Sequence, residues 1–205
     1  MRKKIMVIFL ISLGLGCGRS KRTTFNRNQV PVAISYHSDN HNILRYTEDF
    51  GDKSWSRKKV NIANNAVLDP NGNPNADLVD ISMDRTESRV FQVISDLEEG
   101  YYAFSVYAKA VGSDRGTFAI GAEFKGERRY WQKSVRELNN VDWERLEVQV
   151  RVQGEGSLMV YPAYALIKGA TLQRAYLWGA QLERIDSLNS DIQSYRGNDV
   201  ILNQE

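Results

Sequence analysis

The chain has 205 residues, 42% of them apolar, enough for one domain with a real core and too many for a wholly disordered chain. Its formal charge of +2 conceals a division: residues 1–40 hold seven of the 27 lysines and arginines and one of the 25 acids, which leaves 20 basic and 24 acidic residues beyond them. A mildly acidic body argues against a general affinity for nucleic acid phosphates, and the single cysteine, Cys17, rules out an internal disulfide.

The first element is an export segment. Arg2, Lys3 and Lys4 form a positive region, residues 5–13 (IMVIFLISL) an apolar run, and Gly14, Leu15, Gly16 and Cys17 follow. The run is shorter than the roughly 20 apolar residues a transmembrane helix needs. Its end resembles the lipobox of bacterial lipoproteins. There the cysteine thiol receives a lipid carrying acyl chains such as palmitate, and cleavage leaves that cysteine as the first residue. The small Gly16 fits the pattern; Gly14 and Leu15 depart from its preferred aliphatic and small residues. The expectation is a signal peptide over 1–16 and a lipidated Cys17. No acidic retention signal follows at Gly18 and Arg19, which points to an outer-membrane or cell-surface anchor. Residues 17–40 are polar and without period, and read as a tether whose basic residues favour an anionic membrane.

The body, 41–196, reads as strands, and 197–205 as a tail. Expected strands are 42–46, 58–67, 77–82, 89–94, 101–110, 117–124, 128–133, 143–152, 158–165 and 175–183. In Leu146-Glu147-Val148-Gln149-Val150-Arg151-Val152 one face is aliphatic and the other polar, the mark of a half-buried antiparallel strand. Tyr102, Phe104, Val106 and Ala108 likewise share a face opposite Tyr107. Turn residues separate the runs, most clearly Asp69-Pro70-Asn71-Gly72-Asn73-Pro74. No long 3.6-residue pattern appears. The fold class is all-β, an antiparallel β-sandwich of the jelly-roll kind.

Several stretches carry a resemblance: Asn42-Ile43-Leu44-Arg45-Tyr46-Thr47-Glu48-Asp49-Phe50 with Trp55; Asp69-Pro70-Asn71-Gly72 before Ala76-Asp77-Leu78; Gly100-Tyr101-Tyr102-Ala103-Phe104-Ser105-Val106-Tyr107-Ala108-Lys109; Trp143-Glu144-Arg145-Leu146; Leu177-Trp178-Gly179-Ala180-Gln181-Leu182-Glu183; and Ser194-Tyr195. In this order they resemble the carbohydrate-binding-module-like jelly rolls of phage tail and bacterial surface proteins. The resemblance implies that fold and a sugar-related role. It also implies a structural calcium near the first and last strands, where Glu48, Asp49 and Glu183 lie. No cofactor is otherwise required. Such jelly rolls also serve adhesion, so a structural or adhesion lipoprotein that uses the sandwich to meet proteins stands as the alternative.

Catalytic patterns are scarce. The only histidines, His37 and His41, lie in or beside the tether, so a Ser-His-Asp site inside the domain is excluded and the pair reads as surface residues. Acids are numerous, but sequence does not bring two into the cleft a glycosidase needs. The turn at Asp69 fails the EF-hand pattern, because Gly72 comes too early and Asp80 is a short closing ligand. The chain therefore reads as a binding protein, not an enzyme. Sugars dock their C–H faces on aromatic rings, and the candidate patch is Arg128-Arg129-Tyr130-Trp131-Gln132-Lys133. Adjacent Tyr130 and Trp131 point to opposite faces of a strand. The nearby cations suit an anionic glycan. Tyr107 and Tyr164 are further candidates; Tyr161 and Tyr164 are expected on opposite faces, and Trp55, Trp143 and Trp178 in the core.

Overall fold

The computed structural model describes residues 42–188. The expected export segment, Cys17, both histidines, the expected tether and everything from residue 189 on, Ser194, Tyr195 and the expected tail included, lie outside them. Ten strands form the body: β1 Ser56–Lys58, β2 Asn61–Val67, β3 Ala76–Asp80, β4 Arg89–Ser95, β5 Gly100–Ala110, β6 Gly116–Gly126, β7 Arg129–Leu138, β8 Glu144–Val152, β9 Gly156–Tyr164 and β10 Arg174–Ile185. They make two five-stranded antiparallel sheets, ordered β1-β4-β9-β6-β7 and β2-β3-β10-β5-β8. Every connection except β2–β3 and β6–β7 crosses between sheets, so most strands pair with partners distant in sequence. No helix occurs among the described residues.

Alternation decides which side chains meet between the sheets. Tyr102, Phe104, Val106 and Ala108 of β5 and Leu146, Val148, Val150 and Val152 of β8 belong to one buried cluster with Phe118, Ile120, Ala122 and Phe124 of β6 and Leu158, Val160 and Ala163 of β9. Packing two apolar sheet faces in this way is what holds a sandwich together.

Three local features depart from the strand pattern. The run 58–67 is two strands in different sheets, because Lys59 adopts a left-handed φ of 50° and the chain turns there. Residues 42–46 form no strand; Tyr46 is also left-handed, at 51°. The segment instead runs beside β10, where the Ile43 amide donates to the Leu182 carbonyl at 2.9 Å and the Ala180 amide donates to the Thr47 carbonyl at 2.9 Å. Leu44 drops from it into the core, as do Phe50 and Trp55 just beyond it.

The third feature is a β-bulge in β10 between Trp178 and Gln181, with Gly179 at a φ of 65°. A left-handed φ suits glycine, and the extra residue reverses which face follows. Trp178 was expected in the core through a stripe of Tyr176, Trp178, Ala180 and Leu182. The bulge breaks that stripe. Ala180 and Leu182 face the core, whereas Trp178 lies buried on the outer face of the second sheet, 5.7 Å from the ring of Tyr107. Trp143 is half-buried beside Lys109, also away from the core.

Candidate functional site

The outer face of the first sheet carries an aromatic cluster. Antiparallel register sets Glu123 opposite Trp131 on β7 and Met159 on β9, and Gly121 opposite Lys133 and Tyr161. Alternation turns all of these away from the core. The missing side chain at Gly121 leaves room that the Trp131 ring fills: a Cβ built there would stand 2.8 Å from Cη2 and 3.0 Å from Cζ2 of Trp131. The tryptophan thus leans from the edge strand over its neighbour.

Tyr161 and Tyr164 were expected on opposite faces. They are stacked on the same one, centroids 5.0 Å apart and planes 19° apart. The register of β4 against β9 slips between Val90 and Gln92, and both Val160 and Ala163 face the core. The bulge spans Pro162, which has no N–H to give to a ladder and is tolerated in a sheet interior at such an irregularity. Trp131 meets Tyr161 at 5.4 Å and Tyr164 at 6.1 Å, both edge-on, and Phe91 of β4 lies 5.9 Å from Tyr161. Trp131 is 37% exposed while Tyr161 is 3% exposed, so the tryptophan is the open ring and the tyrosine its support.

Glu123 lies buried beneath this cluster. The Tyr161 hydroxyl donates to its Oε2 at 3.0 Å, Arg129 forms an ion pair with Oε1, and the Lys125 ammonium is 3.7 Å from Oε2. Burial, followed by the hydrogen bond to this carboxylate, pushes the Tyr161 phenol far above its ordinary pKa, so it stays a neutral donor. The cations are largely exposed, so the ion pairs position more than they stabilise.

Among the sequence candidates, Trp131, Tyr164 and Arg129 come together on this face. Tyr130 points the other way and packs against the core cluster. Tyr107 lies on the outer face of the second sheet, its ring 5.6 Å from the Arg145 guanidinium, which in turn donates to Ser105 Oγ at 3.1 Å and Gln181 Oε1 at 3.3 Å. The sequence offers no direct sign of Phe91 or Arg89, and presents Glu123 only as one of many acids. Gly121 and Pro162, a glycine and a proline inside strand patterns, were the signals that could have led to them.

Glu48, Asp49 and Glu183 do not form one site. Glu48 accepts from Asn75 Nδ2 at 3.0 Å, and Asp49 accepts from the Gly51 amide and Asn64 Nδ2, each at 2.9 Å. Glu183 accepts from Gln181 Nε2 at 3.1 Å on the outer face of the second sheet. Among the described residues no three His, Cys, Asp or Glu side chains converge to hold a metal ion. At the Asp69 turn, Oδ1 accepts the amides of Asn71 at 2.7 Å and Asn73 at 2.9 Å, an ordinary Asx turn.

No protein-family model matches the chain, and no curated protein matches its sequence. Solved structures of similar fold do. The C-terminal family 22 carbohydrate-binding module of Clostridium thermocellum Xyn10B is 15% identical, with a TM-score of 0.53 over 72% of this chain and 97% of that one. A xylan-binding domain of the same module family is 16% identical, with a TM-score of 0.52 over 73% and 99%. The first family 22 xylan-binding domain of Paenibacillus barcinonensis Xyn10C is 14% identical, with a TM-score of 0.50 over 65% and 87%. The chain has the β-sandwich fold of a carbohydrate-binding module.

Proposed function

We propose that this chain is a non-catalytic glycan-binding module, held in the bacterial envelope by lipid on Cys17, that takes a sugar chain on the outer face of its first sheet. One observation carries the reading: Trp131 lies open on a strand, its ring supported from below and beside by Gly121, Tyr161 and Tyr164. An isolated surface tryptophan would need no such support. A fixed ring with polar neighbours offers a flat apolar surface to sugar C–H groups and hydrogen bonds to the hydroxyls. The fold likeness to carbohydrate-binding modules, two of them described as xylan-binding, supports the same reading. Glu123 is committed to Tyr161 and Arg129, as a positioning group is, so no hydrolytic role is assigned to it.

The test is affinity electrophoresis of the full chain through gels containing xylan, mixed-linkage glucan, pectin or bacterial exopolysaccharide, beside Trp131→Ala. Retardation by one polysaccharide, lost in a variant with an unchanged melting profile, supports the reading. Retardation that survives in the variant keeps a glycan function and removes this face. No retardation in any gel moves the reading to an adhesion scaffold.

A further inference from the structure

Arg89 stands apart from the other cations of the aromatic face. It opens β4 directly opposite Tyr164, and its guanidinium lies 5.7 Å from the Tyr164 ring centroid and 5.6 Å from that of Phe91. Its Nε is buried and has no hydrogen-bond acceptor, and among the described residues it enters no ion pair. Its neighbours are otherwise engaged: Lys58, directly opposite it on β1, with Glu87, Arg129 and Lys125 with Glu123, and Lys133 with the Lys168 carbonyl. The enclosed Nε is closed to a ligand, but it belongs to a guanidinium with no acceptor among the described residues, whose terminal N–H groups remain to meet one from outside.

The charge of the face indicates which acceptor. Outward strand positions hold Lys58, Arg89, Lys125, Arg129 and Lys133, against Glu123 at the centre, Glu137 at the far end opposite Thr117, and Glu87, just before β4, which pairs with Lys58. The carboxylate at the centre is already neutralised, and the cation beside Tyr164 is not. A guanidinium is a planar fork whose paired N–H groups match a carboxylate by two parallel hydrogen bonds, while a hydroxyl fills one of them and leaves the charge uncompensated.

We infer that the glycan is acidic, and that Arg89 receives the carboxylate of a uronic acid residue while a neighbouring sugar lies on Trp131. The inference rests on the glycan-binding reading and narrows it from sugars in general to uronate-bearing chains. Arg89, Tyr164 and Trp131 follow one another across the sheet, with 5.7 Å and then 6.1 Å between successive groups, so adjacent residues of one chain reach both ends.

The experiment is calorimetric titration of the full chain with a neutral xylo-oligosaccharide, the same oligosaccharide bearing one glucuronate, and dextran sulfate, on the parent, Arg89→Met and Arg89→Lys. A charge-assisted pair predicts about a tenfold or greater preference for the glucuronate ligand over the neutral one. Arg89→Met should abolish the preference and leave neutral binding in place. Arg89→Lys, which keeps the charge without the fork, should recover only part of it. Equal affinity for charged and neutral ligands overturns the inference, as does a preference that survives Arg89→Met, or dextran sulfate binding as tightly as the glucuronate and untouched by the substitution. Failure of every ligand to bind the parent instead defeats the glycan reading itself. Matching melting curves of the variants separate either result from misfolding.

Discussion

Gly121→Ala separates the shape of the face from the stability of the domain. The added methyl would stand 2.8 Å and 3.0 Å from the Trp131 ring and 3.3 Å from Ile167 Cδ1. The clashing ring atoms are the far end of a 37%-exposed side chain on an edge strand, so the ring swings outward and the backbone stays. Overpacking costs about 1–3 kcal/mol where nothing can move. Here it falls at the low end, and the alanine recovers about 0.4–1 kcal/mol by restricting the unfolded chain, since Gly121 is not among the left-handed residues. The expected net loss is about 1 kcal/mol, a fall of roughly 2–4 °C in Tm for a domain of this size. Affinity for the retained glycan should fall about tenfold, because the ring no longer lies on its support. Thermal melts and calorimetric titration read both, and acrylamide quenching compared with Trp131→Phe reports whether the ring has moved. Unchanged affinity with a displaced ring would refute the claim that the seated tryptophan is the platform. A loss of several kcal/mol would refute the claim that the ring can give way.

Other outcomes follow from the same geometry. Tyr161→Phe leaves the buried Glu123 Oε2 with only Lys125 at 3.7 Å and should cost about 1–3 kcal/mol by denaturant titration. Adding Glu123→Leu should cost less than the two single changes together, since it removes the orphaned acceptor and frees an exposed Arg129. The Lys59 ammonium, hydrogen-bonded to Asp84 and Glu87, holds both carboxyls below their ordinary values. The folded chain then binds fewer protons than the unfolded one, so this contribution is present above about pH 4 and lost as pH falls through the lowered folded values. The Tm difference between parent and Lys59→Met should accordingly shrink from pH 5 to pH 2; a constant difference would contradict it. Cys17→Ser should abolish incorporation of labelled palmitate and move the chain from the detergent phase to the aqueous phase on extraction; retained label would place the lipid elsewhere.

Most of the sandwich was legible because period-2 alternation reports burial directly, as in Leu146 to Val152 against Glu147, Gln149 and Arg151. It failed where the backbone inserts a residue or reverses its twist. Alternation presumes an unbroken pleat, so Gly179 and Pro162 each reset it, and the positions beyond change face. That displaced Trp178 from the core and brought Tyr164 onto the face of Tyr161. Alternation also gives the side of a strand and not its sheet. Tyr107 and Trp131 both point outward, but β5 and β7 belong to different sheets, and pairing between distant strands separates them. The roles of Arg89 and Glu123 were illegible for a related reason: they rest on neighbours contributed by other strands, β9 for Arg89 and β7 and β9 for Glu123.

The most direct measurement is a structure of the chain with its best-retained oligosaccharide. The account predicts a sugar ring against Trp131, the chain crossing Tyr164 toward Arg89, and Glu123 still paired with Tyr161. A ligand lying instead on the outer face of the second sheet, beside Tyr107 and Arg145, or held only at the loop ends, would contradict it.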